Sequence, residues 1–226
     1  MNHGLLRKSL REIWPTTLGF SLLFLAITTL LGFFLPTFRT ELFELIRATA
    51  FFRVMLSALL GTNLTEEIAA EALSVLPWVH PVVLLTAFAH AIAVCTRIPA
   101  SEIDRGTIDV LLGLPVSRGQ VYVCQSFIWA LSGMALILSG VVGYVLGLTL
   151  AKVPLPTTGR LLVTICNTYF LYLAAGAVTC VFSSFSKRRG RAIGGALAVV
   201  VLSFAISFVA PFWEPARHVE FLSLLT

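Results

Sequence analysis

Five stretches of the chain, each 22 residues or longer, contain no aspartate, glutamate, lysine or arginine: Ile13 to Phe38, Ala72 to Thr96, Gly119 to Ala151, Leu161 to Ser186 and Ala192 to Trp213. A helix rises about 1.5 Å per residue and a bilayer's hydrocarbon is about 30 Å thick, so roughly 20 apolar residues cross it. Within lipid every backbone polar group must find its partner inside the chain, which leaves helices as the form for runs of this length. Composition agrees: 58% of residues are hydrophobic and 12% charged, against about 45–50% and about 25% in soluble domains. The chain is therefore expected to be all-α, a polytopic helix bundle in a membrane forming one transmembrane domain over residues 1–226. A sixth apolar run, Val54 to Thr65, is too short to cross and carries Gly61, Thr62 and Asn63; it is expected to lie on the outer surface.

Basic residues in short loops set orientation. One side holds Arg7, Lys8, Arg11, Arg97, Arg105, Arg118, Lys187, Arg188, Arg189 and Arg191 against four acids, Glu12, Glu102, Asp104 and Asp109. The other side holds six basic residues against seven acids. The first side is expected to be cytoplasmic, with the N-terminus inside, five spans, and a location in the cell's plasma (inner) membrane. The net charge of +5 then reports topology and gives no sign of a nucleic-acid partner. Residues 3–14 place Leu5, Leu6, Leu10, Ile13 and Trp14 on one face, which predicts a short amphipathic helix in the inner interface. Residues 37–76 alternate charged and apolar side chains and predict a small outer helical segment, large enough for a cap or gate.

The spans contain no Asp, Glu, Lys or Arg, so the ionisable groups that ion-coupled carriers use are missing from them. His90 is the exception, and a neutral imidazole bonded to a neighbouring helix is expected there; the alternative is a proton relay in an ion-coupled carrier. Asn167, Tyr169 and Tyr172 could line a polar path with His90, or bond between helices, and the second is expected. Ser139, Gly143 and Gly147 recur every four residues on the third span, and Gly190 and Gly194 on the fifth; such spacing marks close helix contact in a bundle or dimer. The four cysteines, Cys95, Cys124, Cys166 and Cys180, form no metal or redox spacing and are expected to pack as small apolar residues. The sequence contains no phosphate loop, nucleophile elbow or zinc-protease motif, so an enzyme is not expected.

The most ordered local pattern is Ala100 to Tyr122. Ser101 and Asp104 fit a capping box that opens a helix over residues 101–113, with a stripe of Ile103, Ile108, Leu111 and Leu112 and a stop at Gly113 and Pro115. Ser117 with Gln120 fits a second box opening the next span. Glu102, Gly106, Thr107, Asp109, Leu111, Leu112, Pro115, Val116, Ser117 and Arg118 stand at the spacing of the E-x-x-x-G-T-x-[DE]-x-L-L-x-x-P-V-S-R stretch, which resembles type-2 permease subunits of ATP-binding-cassette (ABC) exporters. The resemblance covers about residues 5–210.

It implies that residues 101–113 form the cytoplasmic coupling helix that docks on a separate ABC ATPase subunit. There Leu111 and Leu112 would fill an apolar notch, and Glu102, Arg105 and Asp109 would set register by charge. Gly106 would allow close backbone approach, with Thr107, Pro115 and Arg118 completing the docking stretch. ATP and magnesium would be bound by that partner and no cofactor by this chain. A second permease copy or a paralogue would complete the complex within membrane lipid. A scaffold or assembly factor that recruits a cytoplasmic protein without transport is the alternative reading. The family has six spans, so a truncated sixth is expected beyond Thr226. Arg97 and Pro99 depart from the family's usual residues and leave the angle at the end of the second span open.

Overall fold

The computed structural model describes residues 3–48, 77–113 and 115–209, all the regular structure among them being helical. Helix α1 runs His3–Ala48, α2 Pro81–Cys95, α3 Glu102–Asp104, α4 Ile108–Leu112, α5 Arg118–Leu150, α6 Thr158–Phe185 and α7 Arg189–Val209. Four of these, α1, α5, α6 and α7, are long and apolar enough to cross a membrane. Helix α2 and the segment Arg97–Asp104, bent by 56° against each other, bring the number to five if the pair is one span. Large apolar side chains such as Leu22, Leu30, Val142, Phe170 and Leu202 point outward from the bundle, a surface that suits hydrocarbon and not water.

Helix α1 differs from expectation in length. Its 46 residues run without interruption through Pro15 and Pro36, so residues 3–14 are its first turns rather than a separate interfacial helix, and residues 37–48 extend it at the far end. Pro15 carries no N–H, so the Arg11 carbonyl loses its intrahelical donor; in the same turn the Glu12 carbonyl accepts a hydrogen bond from Arg97 at 2.6 Å. The remainder of the expected outer segment, including Val54 to Thr65, and the end of the fifth span lie outside the described residues.

Helices α1 and α5 approach closely through glycine. A Cβ on Gly32 of α1 would sit 2.9 Å from the Tyr144 carbonyl oxygen, and one on Gly147 of α5 2.8 Å from the Phe33 nitrogen. A Cβ on Gly143 would collide with the Leu25 carbonyl and the Thr28 hydroxyl. Ser139 Oγ donates to the Ser21 carbonyl at 3.1 Å. The Ser139–Gly143–Gly147 stripe therefore packs inside one chain. Gly190 and Gly194 differ, since a Cβ on either meets nothing within 4 Å. Nearer the start of α5, Gly133 seats the Tyr172 ring, and Gly176 of α6 seats Trp129. The core between these helices is filled by Phe24, Trp78, Val83, Leu136, Ile137, Tyr144, Leu148 and Tyr172. Cys95 and Cys124 are buried, while Cys166 faces outward.

Candidate functional site

The polar candidates within the spans separate into two groups. His90 is fully buried, with Nδ1 3.1 Å from the Tyr172 hydroxyl and Nε2 3.2 Å from Thr17 Oγ1. These bonds tie α2 to α6 and to α1, and both ring nitrogens are engaged. Tyr169 donates to the Ala130 carbonyl at 3.1 Å, joining α6 to α5. Asn167 lies on an exposed face of α6 instead. Three of the four make interhelical bonds, and the fourth faces outward.

At the end of the bundle that carries the start of α1, the last turn of α2 comes apart in an ordered way. A helix end leaves its final carbonyls without intrahelical donors. Here the Ile92 carbonyl accepts from Thr96 Oγ1 at 2.7 Å, the Ala93 carbonyl from Arg189 at 3.2 Å and the Val94 carbonyl from Gln125 Nε2 at 3.1 Å. With donors arriving from α5 and α7, the chain can turn sharply through the π-helical segment Arg97–Ser101, where Ile98 is extended (φ −130°, ψ 126°) and the Ile98–Pro99 bond is cis. Arg97 pairs with the Glu12 carboxylate of α1 at 3.2 Å, and Ser183 of α6 accepts from the Ala100 N–H at 3.3 Å.

The expected single helix over 101–113 is two short ones. Ser101 makes no side-chain cap, so the capping box with Asp104 does not form; the box at Ser117 and Gln120 does, at 3.1 and 3.2 Å. The break is explained by residues 102–107. The Gly106 N–H donates to the Ile103 carbonyl at 3.1 Å and the Thr107 N–H to the Glu102 carbonyl at 2.9 Å, the paired bonds of a Schellman cap with Gly106 left-handed at φ 71°. The Thr107 hydroxyl also meets the Glu102 carboxylate. The E-x-x-x-G-T spacing is thus the chemistry of a self-closing turn: the glycine supplies positive φ, and the threonine bonds back to the glutamate five residues earlier. A Cβ on Gly106 would meet nothing within 4 Å, so its requirement within this chain is conformational and not steric. Gly106→Ala is expected to cost about 1 kcal/mol, the left-handed penalty for an L-residue, and to speed amide hydrogen exchange at residues 106 and 107 about fivefold. An unchanged rate would contradict the cap.

Burial then sorts the remaining site residues. Leu111 is 3% exposed and packs among Leu5 and Ile13 of α1, Val94 of α2, and Val121, Cys124 and Ile128 of α5. It therefore anchors the segment to its own bundle and does not project as the docking side chain expected from sequence. Leu112 and Glu102 are half-buried. Asp104, Arg105, Gly106, Thr107, Asp109, Pro115 and Arg118 are exposed. Val110, 74% exposed, is the apolar side chain at this rim, and sequence reasoning passed over it. Its position next to the buried Leu111, about 100° around the same short helix, was the available signal.

No curated protein and no solved structure matches the chain. A family model described as ABC-2 family transporter protein matches residues 6–221, spanning all the described spans and the broken segment between α2 and α5. On that match, and with a bundle of apolar helices to carry it, this protein belongs to the ABC-2 transporter family and is a multi-pass membrane permease of an ABC transporter.

Proposed function

We propose that this permease is driven by ATP bound and hydrolysed on a separate cytoplasmic ATPase subunit, which seats on the exposed rim of residues 102–118, and that the complex exports its substrate. In this reading the N-terminus and the rim face the cytoplasm of a plasma (inner) membrane, and a second permease copy or paralogue completes the pair. The observation that carries it is the rim itself. A stiff turn, closed by Gly106 and Thr107 and pinned inward by Leu111, holds Val110 at 74% exposure in a segment that also exposes Asp104, Arg105, Asp109 and Arg118. An exposed apolar side chain in a segment carrying charges of both signs suits an interface, whose core excludes water and whose rim sets register.

The test is a mild-detergent pull-down of the tagged chain. A stoichiometric ATPase carrying a phosphate loop is expected to co-purify. Val110 is largely exposed, so Val110→Glu is expected to leave insertion and yield unchanged. A charge left unpaired in the contact is expected to weaken retention of the ATPase at least about tenfold, or ~1.4 kcal/mol. Retention of the partner at the level of the unsubstituted protein would remove Val110 and its rim from the docking assignment. A permease that purifies without any nucleotide-binding partner would overturn the ATP-driven reading.

A further inference from the structure

The rim is attached to the rest of the molecule by two arginines whose partners lie on different helices. Arg97, in the turn after α2, donates to both the main-chain carbonyl and the carboxylate of Glu12 on α1, at 2.6 and 3.2 Å. Arg189, the first residue of α7, donates to Thr96 Oγ1 at 3.3 Å and to the Ala93 carbonyl at 3.2 Å. Its own N–H reaches the Asp104 carboxylate at 3.4 Å. Arg97 and Arg189 are both half-buried, so these bonds are less exposed to competing water than a surface pair. Charge-assisted bonds of this kind are roughly twice as strong as neutral ones, and a guanidinium with two acceptors fixes direction as well as distance.

We infer that Arg97 and Arg189 are positioning residues that carry a displacement of the docking rim to α1 and to α7 respectively. The inference rests on the docking reading above and says how a push at that site reaches the spans. The path follows from where the bonds end. Leu111 joins the rim to α1 and α5 through apolar contact, which has no preferred direction. Arg97 adds a directional bond to the turn of α1 just before Pro15. Arg189 grips the last turn of α2 with its side chain and the short helix α3 with its backbone, so the bend between them cannot open or close without moving the start of α7. Sequence separation hides this arrangement, since each bond joins residues 85 or more positions apart.

The test uses the complete permease–ATPase complex in nanodiscs and reads amide hydrogen exchange with and without ATP and vanadate. In the unsubstituted complex, nucleotide is expected to change exchange in residues 101–113, in the first turns of α1 and in the start of α7. Arg97→Glu is expected to leave the response of residues 101–113 in place and to abolish that of α1. The conservative Arg97→Lys, which keeps a charged donor for both Glu12 acceptors, is expected to retain it. Arg189→Gln is expected to abolish the α7 response alone. Independently of nucleotide, loss of either guanidinium is expected to raise exchange in residues 97–107 about fivefold, the equivalent of one hydrogen bond. An α1 response that survives Arg97→Glu, or one that Arg97→Lys also abolishes, overturns the assignment of Arg97; an α7 response that survives Arg189→Gln overturns that of Arg189. A complex whose residues 101–113 do not respond to nucleotide at all defeats the docking reading, and this inference falls with it.

Discussion

Gly143→Leu is expected to yield little or no folded permease. The Cβ alone would meet the Leu25 carbonyl and the Thr28 hydroxyl of α1, and a carbonyl in a helix cannot move aside as a side-chain tip can. Helices α1 and α5 would have to separate along the line where Gly32, Gly143 and Gly147 bring them together. Overpacking in a core costs typically about 1–3 kcal/mol; with backbone as the obstacle and four heavy atoms added, the loss should reach at least ~3 kcal/mol, a large share of the roughly 5–15 kcal/mol that holds a typical protein folded. Gly143→Ala is expected to fall within that ~1–3 kcal/mol range. Gly190→Ala provides the comparison, because a Cβ there meets nothing within 4 Å; relief of glycine's helix penalty should leave it unchanged or up to ~1 kcal/mol more stable. Thermal unfolding in detergent, followed by size-exclusion of the surviving fraction, separates the two. Equal survival of Gly143→Leu and Gly190→Ala would mean that α1 and α5 do not pack as described.

The second large effect is expected at Leu111. Leu111→Ala should cost about 2–5 kcal/mol, the range for removing a buried leucine side chain, because the side chain sits among residues of α1, α2 and α5. Leu111→Asp should be worse, since a carboxylate would be buried without a partner. The adjacent Val110→Ala should change stability by less than ~0.5 kcal/mol, as for exposed positions generally. The two neighbours are thereby predicted to fail in different assays: Leu111 in thermal stability of the isolated permease, Val110 in retention of the ATPase. Comparable thermal loss at both positions would show that residues 108–112 are not oriented as described.

These neighbours also mark how far sequence reasoning reaches. The spans were legible because each excludes charge over more than a bilayer's thickness; four reappear as long apolar helices, and the second as a short helix bent at its end. Charge-free length says nothing about bends, which depend here on donors from Gln125 and Arg189. His90 bonds between helices as expected, because a lone buried imidazole in an apolar span has few other partners. The stripe Ile103, Ile108, Leu111, Leu112 was visible as apolar, but periodicity cannot distinguish a face turned to a partner from one turned to the chain's own helices. The same ambiguity hid the use of Ser139, Gly143 and Gly147. Residues 102–107 were misread as helix because each accepts helical geometry except Gly106, whose left-handed conformation is one option among several for a glycine.

The two prolines of α1 have a consequence for depth. Each removes one backbone donor, and a carbonyl left unpaired in hydrocarbon is costly, so a proline turn is best placed where water or a polar side chain can reach it. Pro15 and Pro36 are separated by about 32 Å along a helix of 1.5 Å rise, close to the roughly 30 Å thickness of the hydrocarbon. Setting both at its edges places Trp14, 59% exposed, and Phe38, 50% exposed, in the interfacial layers where aromatic rings settle. The Arg97–Glu12 pair then lies at the headgroup level rather than in the oil. The vertical position of the whole bundle is thus written into one helix, and sliding α1 by a single turn in either direction would drag a proline turn into the hydrocarbon.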